Sequence, residues 1–169
     1  MTGTEPAVSE VTGAPQAAGG VVVRDLRRED RAAWQVLWDG YNAFYGRHGD
    51  TALAGNVTEA TWDRFFDEAE PVHALVAMMD GVVVGLTHYL YHRTTLDAED
   101  TCYLQDLFTD ERVRGRGVGR ALIAEVARRA KDRGSARVYW LTHETNATAM
   151  LLYDRVADRS GFLMYRLPL

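Results

Sequence analysis

The sequence predicts an α/β protein of the α+β kind, with a mixed but mostly antiparallel central sheet and helices on both faces. Three observations carry this. Residues 74–109 hold three strand-like runs, the first two joined by the hairpin signal Asp80-Gly81. A basic, glycine-rich segment at residues 114–120 then leads into an amphipathic helix and another strand-like run, the pattern of a β-α-β crossover. The chain has 169 residues, enough for one domain with a sizeable core and too few for two ordinary ones.

The elements follow in order. Residues 1–20 are rich in Ala, Gly, Pro, Ser and Thr, contain no Lys or Arg, and read as a disordered tail before a single domain at 21–169. Val21-Val22-Val23 reads as a first strand. Between Arg28 and Tyr45, the residues Trp34, Trp38, Tyr41 and Tyr45 recur at helical spacing and mark one helix face. This stripe reads mainly as core. A second helix is expected from an N-cap at Thr58 or Thr61 through Glu70, ended by Pro71.

Strands are expected at Ala74–Met79, Val82–His92 and Thr101–Thr109. After the glycine-rich segment, Val118, Leu122, Val126 and Ala130 form the apolar stripe of a helix that Gly134 can end. Further expectations are a strand at Arg137–Thr142, a helix at Thr145–Ala157 and a final strand at Gly161–Leu167.

Bulk properties narrow the function. A net charge of −5 argues against a dedicated nucleic-acid binder. No run approaches the roughly 20 apolar residues that span a bilayer. The lone Cys102 allows no internal disulfide and no Cys/His metal cluster, and the expected location is cytoplasmic. His88 and His92 share a strand face, but no further ligands can be placed, so no metal site is assigned.

The segment Arg114-Gly115-Arg116-Gly117-Val118-Gly119-Arg120 is the richest in chemistry. It leaves a strand and opens a helix. The first turn of a helix has unpaired N–H groups and a partial positive charge, and glycine lets backbone approach an anion. Together with Arg112, four arginines surround this point. No Gly-Lys-Ser/Thr follows, so it is not a Walker loop, and no acidic residue suits a dinucleotide ribose. The expectation is a phosphate site.

Arg114-x-x-Gly117-x-Gly119 resembles the acetyl-CoA pyrophosphate motif of the GNAT superfamily of N-acetyltransferases. Tyr103 to Thr109 resembles that family's fourth strand, and Asn146, Ala149, Tyr153 and Gly161-Phe162 resemble its second conserved block. The likeness covers about residues 21–167 and looks nearest to the polyamine and histone-type amine acetyltransferases. It implies acetyl-CoA as co-substrate, held by Leu107, Phe108, Thr109, the loop Arg114 to Arg120, and Asn146. Asn146 has the alternative of a helix N-terminal turn residue. The resemblance also implies direct transfer to a primary amine without an acyl-enzyme, and a possible homodimer.

Such a reaction needs a base, an acid and an oxyanion donor, because an alkyl ammonium titrates near about 10.4 and must lose a proton to attack. Tyr153, seven residues after Asn146, is the candidate acid that the resemblance implies, against the alternative of a core tyrosine. Gln105 and Asp106 are adjacent on a strand and are expected on opposite faces; only Asp106 can serve as base, directly or through water, against the alternative of a structural carboxylate. Cys102 reads as a small buried strand residue. The acceptor is expected to be a polyamine, an amino-acid-like amine or a lysine side chain. Protein N-termini, aminoglycosides and a non-catalytic acyl-CoA sensor are the alternatives.

Overall fold

A computed structural model describes residues 20–169, so the N-terminal tail expectation falls almost wholly outside the described residues. Five strands form one sheet in sequence order: β1 (Val21–Asp25), β2 (Val72–Met79), β3 (Val82–His92), β4 (Thr101–Thr109) and β5 (Val138–Tyr139). The first three pairings are antiparallel and β4–β5 is parallel. The helices are α1 (Arg31–Phe44), α2 (Gly55–Arg64), α3 (Val118–Asp132) and α4 (Ala147–Val156). Among the described residues no helix is long and apolar enough to cross a membrane.

Two cores cover the two sheet faces. On one, Val118, Leu122, Val126 and Ala130 of α3 pack on Leu75, Ala77, Tyr89, Cys102 and Leu104. Val118, Leu122 and Val126 are at most 1% exposed, and burying such a side chain contributes roughly 1.5–3 kcal/mol each. On the other face Trp34, Leu37, Trp38 and Tyr41 of α1, with Trp62 of α2, pack on Ala74, Val76 and Leu86. The aromatic stripe of α1 is therefore mostly core, as its spacing predicts.

Four expectations are corrected. Helix α2 begins and ends earlier than expected, because Thr58 is not its cap: the Thr58 hydroxyl accepts the Trp38 indole N–H at 3.3 Å from inside the helix. Strand β5 keeps only two residues of the expected six, since the chain pairs with β4 only at Cys102 and Tyr103 and then diverges. The final strand at Gly161–Leu167 does not form; Phe162, Leu163, Tyr165 and Leu167 are all exposed. Alternation predicts the right periodicity there but supplies no neighbouring edge.

The fourth correction concerns Gln105 and Asp106. His88 pairs with Asp106 and Tyr89 with Leu104, so Gln105 is the extra residue of a β-bulge. Strict alternation lapses there, and both side chains border the same small cavity of about 130 Å³.

Candidate active site

The divergence of β4 from the chain after Tyr139 opens a cleft. It has a volume of about 910 Å³, ample for a large cosubstrate. Leu104, Gln105, Leu107, Phe108 and Thr109 form one wall, and Trp140, Leu141 and His143 the other. The arginine-glycine loop and Tyr41, Phe44 and Tyr45 also border it, and the Phe108 ring lies 6.0 Å from the Arg114 guanidinium and 6.4 Å from the Tyr41 ring.

The loop is shaped by backbone geometry. Gly115 and Gly117 have φ of 79° and 86°, a region that a side-chain-bearing residue enters only at a cost. Gly117 caps α3 without any side-chain cap bond, which leaves the first-turn N–H groups of Val118, Gly119 and Arg120 without intrahelical acceptors. Val118 anchors the turn in the core, and it fits because Gly85 on β3 has no Cβ: one placed there would meet Val118 Cγ1 at 2.8 Å. A buried residue thus fixes a row of free N–H donors beside the cleft.

The loop's arginines divide. Arg112 is tied to Asp110 at 2.6 Å, and this pairing holds Asp110 down to about 2. Arg114 pairs with Glu111 at 3.1 Å and borders the cleft, as does Arg120. The Arg116 side chain lies outside the cleft lining, so its place in the loop is that of a backbone element. Leu107, Phe108, Thr109, Gly115, Gly117, Val118, Gly119 and Asn146 all border the cleft. Asn146 stands at the N-terminus of α4 without making a cap bond; its Nδ2 donates to Thr142 Oγ1 at 3.3 Å.

Tyr153 borders the same cleft, with its ring 5.4 Å from that of Trp140. Burial, and secondarily the nearby Tyr45, pushes its phenol up to about 12. It therefore keeps its proton at neutral pH. Asp106 is 6% exposed and does not border the cleft; it faces the small cavity behind Gln105. Its Oδ2 is 2.9 Å from His88 Nδ1, and His88 Nε2 is 3.0 Å from the Trp34 indole N–H. The indole can only donate, so Nε2 accepts and the ring hydrogen sits on Nδ1, pointing at Asp106.

Sequence reasoning missed Tyr41 as a polar member of the site. Burial first, then the adjacent Asp106 carboxylate, raises its phenol far above the ordinary range. Tyr41 borders the cleft, and the Asp106 carboxylate near it borders the small cavity. Its place in the aromatic stripe hid this, because helical spacing reports a face and not which hydroxyl meets a carboxylate. Cys102 is fully buried and its thiol is pushed up to about 11 by burial, which makes it inert as a nucleophile. His92 Nε2 lies 2.9 Å from the Tyr139 hydroxyl, and Tyr139 stacks on Tyr103 at 4.9 Å.

A helix start with free N–H groups beside a splayed sheet, with a protonated tyrosine in the same cleft, is an arrangement that suits an acyl-CoA-dependent acyltransferase. The model of the acetyltransferase (GNAT) family matches residues 25–157, and the chain belongs to that family. It is 35% identical to the D-amino-acid N-acetyltransferase HPA3 of Saccharomyces cerevisiae, over 86% of this chain and 89% of that protein. It is 28% identical to the thialysine N-epsilon-acetyltransferase of Caenorhabditis elegans, over 53% of this chain and 55% of the relative. Among solved structures, the fold matches AAC(6')-Iy in complex with the bisubstrate analogue CoA-S-monomethyl-acetylneamine. The TM-score is 0.74 at 17% identity, over 88% of this chain and 98% of that one. The protein is thus an N-acetyltransferase with acetyl-CoA as co-substrate.

Proposed function

We propose that residues 21–169 act as one domain that moves the acetyl group of acetyl-CoA directly to a primary amine of a small molecule. The observation that carries this is a single cleft bordered both by the free N–H groups that open α3 and by Tyr41, Tyr45 and Tyr153. The first-turn amides of α3, with Arg114 and Arg120, hold the cosubstrate's pyrophosphate. Backbone groups of Leu107, Phe108 and Thr109 and the Asn146 side chain line the path of its pantetheine arm. The thioester supplies an activated acyl carbon.

The chain's own groups move the protons. Tyr41 stands between the acceptor recess and Asp106. As the amine attacks, its proton passes to the Tyr41 oxygen while the Tyr41 proton passes to Asp106, so Asp106 is a base acting through a hydroxyl. The C–S bond breaks, and Tyr153 gives its proton to the departing thiolate. The amide and free CoA thiol are the products.

The test is thiol release from acetyl-CoA against a panel of small primary amines, peptides and aminoglycosides. Turnover of small amines is expected. Tight CoA binding with no turnover of any amine would mean a sensor, and turnover confined to peptides would mean a protein acetyltransferase.

The same reading includes a cytoplasmic location, where acetyl-CoA is available, and a homodimer. The dimer is supported by the exposed Phe162, Leu163, Met164, Tyr165 and Leu167 and by the edge of β5, which pairs only with β4.

A further inference from the structure

We propose that Gly40 is a positioning residue of the reaction: by leaving room for the Phe108 ring it fixes, through that one ring, both Arg114 on the donor side and Tyr41 on the acceptor side. This rests on the roles given to Arg114 and Tyr41 above and deepens that reading.

Gly40 lies inside α1, between the buried Trp38 and Tyr41, in ordinary helical backbone. Glycine inside a helix is less stable than alanine, and backbone conformation here does not require it. A neighbour across the fold does. A Cβ on Gly40 would meet Phe108 Cζ at 2.8 Å and Cε1 at 3.0 Å. An ordinary carbon contact is about 3.5–4.0 Å, so the Phe108 ring occupies the space that a side chain on Gly40 would take.

The strand that carries the ring is held in place. Phe108 pairs with Leu86 of β3, and its carbonyl oxygen lies 3.2 Å from where a Cβ on Gly85 would stand. A side chain at position 40 therefore displaces the ring and not the strand.

That ring has three neighbours that matter. It borders the cleft, meets the Tyr41 ring edge-on at 6.4 Å, and lies 6.0 Å from the Arg114 guanidinium, within reach of a cation–π attraction. The salt-bridge partner of Arg114 is Glu111 in the same short turn, so the Phe108 ring is the contact that relates this cation to α1. Tyr41 stacks on Trp38 at 5.4 Å within its own helix, and Phe108 relates it to β4. A ring pushed off Gly40 shifts against both the cation that faces the pyrophosphate and the phenol that takes the amine's proton. Gly55 offers the contrast: it opens α2, and a Cβ there would meet nothing within 4 Å.

The experiment compares Gly40→Ala, Phe108→Leu, the double variant and, as a control, Gly55→Ala. Calorimetric titration with CoA reads the donor side. The kcat/KM for a small primary amine at saturating acetyl-CoA reads the acceptor side. Gly40→Ala is expected to weaken CoA binding by about three-fold or more and to lower kcat/KM by roughly 10- to 100-fold. The shorter side chain of Phe108→Leu clears the seat, so adding Gly40→Ala to it should change neither value by more than about two-fold. A loss on either measurement that vanishes in that background sustains the proposal. A purely structural glycine would lower the melting temperature and leave both measurements at wild-type values, which overturns it. A loss that persists in the Phe108→Leu background overturns it as well, as does an equal loss in Gly55→Ala. If Gly40→Ala alone does not fold, the double variant against Phe108→Leu decides by the same rule. The CoA titration needs no turnover: if every amine fails as a substrate, the catalytic reading falls while the titration still decides the role of Gly40.

Discussion

Trp34 donates its indole N–H to Nε2 of His88 at 3.0 Å, across the core between α1 and β3. This one bond decides that the hydrogen of the ring sits on Nδ1, the nitrogen facing Asp106. Replacing His88 with Leu strands a buried indole donor and a buried carboxylate together. Each buried polar group left without its partner costs about 1–3 kcal/mol, so with two such groups a loss of roughly 2–6 kcal/mol is expected in urea unfolding of His88→Leu. Trp34→Ala removes the stack on Trp38 as well and is expected to cost about 3–5 kcal/mol by cavity formation.

Tyr153→Phe removes a hydroxyl and little volume. If Tyr153 delivers the proton to the thiolate, kcat falls by roughly 100-fold, the lower range of general-acid catalysis, while the KM for acetyl-CoA stays within about two-fold. The phenol lies at about 12, so Tyr153 contributes no ionisation to the pH–rate profile below about pH 11. An unchanged kcat in single-turnover experiments would remove Tyr153 from the mechanism.

Gly117→Val forces a β-branched residue into a φ of 86° at the start of α3. The left-handed region costs such a residue at least about 1–2 kcal/mol, and relaxation would turn the first-turn amides off the cleft. Weaker CoA binding by at least ten-fold is expected in calorimetry. Arg116→Ala serves as the contrast: its side chain lies outside the cleft, so affinity should change much less than in Arg114→Ala.

Acid should unfold the protein through identifiable carboxylates. Hydrogen bonds from Arg128 first, and also Arg129, hold Glu125 at about 2 against an ordinary 4.5. Arg24 likewise lowers Asp30. A depressed carboxyl contributes stability that is complete above its unfolded pKa. For Glu125 it is therefore present above about pH 4.5 and lost as the pH falls toward 2. Melting temperature measured from pH 7 to 2 should drop mainly in that window, and Glu125→Gln should flatten the fall.

Deleting residues 161–169 removes the exposed Phe162, Leu163, Tyr165 and Leu167. If this segment supports the homodimer, light scattering should show a dimer for the full chain and a monomer for the deletion. A full chain that is monomeric at high micromolar concentration would rule the dimer out.

The glycine turn of the candidate cosubstrate site was legible in the chain because it is local. A strand, a turn with two glycines at positive φ and a helix follow one another without interruption from Thr101 to Asp132, and short-range sterics dictate the turn. The acceptor half was legible only in outline. The Trp34 to Tyr45 stripe was readable as a buried helix face. That Tyr41 and Asp106 come close depends on packing between residues 65 positions apart.

What the sequence alone determined is the order of elements from β1 to α4, the faces of α1 and α3, and the glycine turn that opens α3, all of which follow from periodicity and backbone preference over a few turns. Tertiary structure alone decided that Asp106 lies behind the cleft and not in it, because a single bulge at Gln105 shifts the β4 alternation. It also decided that the last apolar run stays unpaired, because a strand needs an adjacent edge and its own pattern cannot provide one.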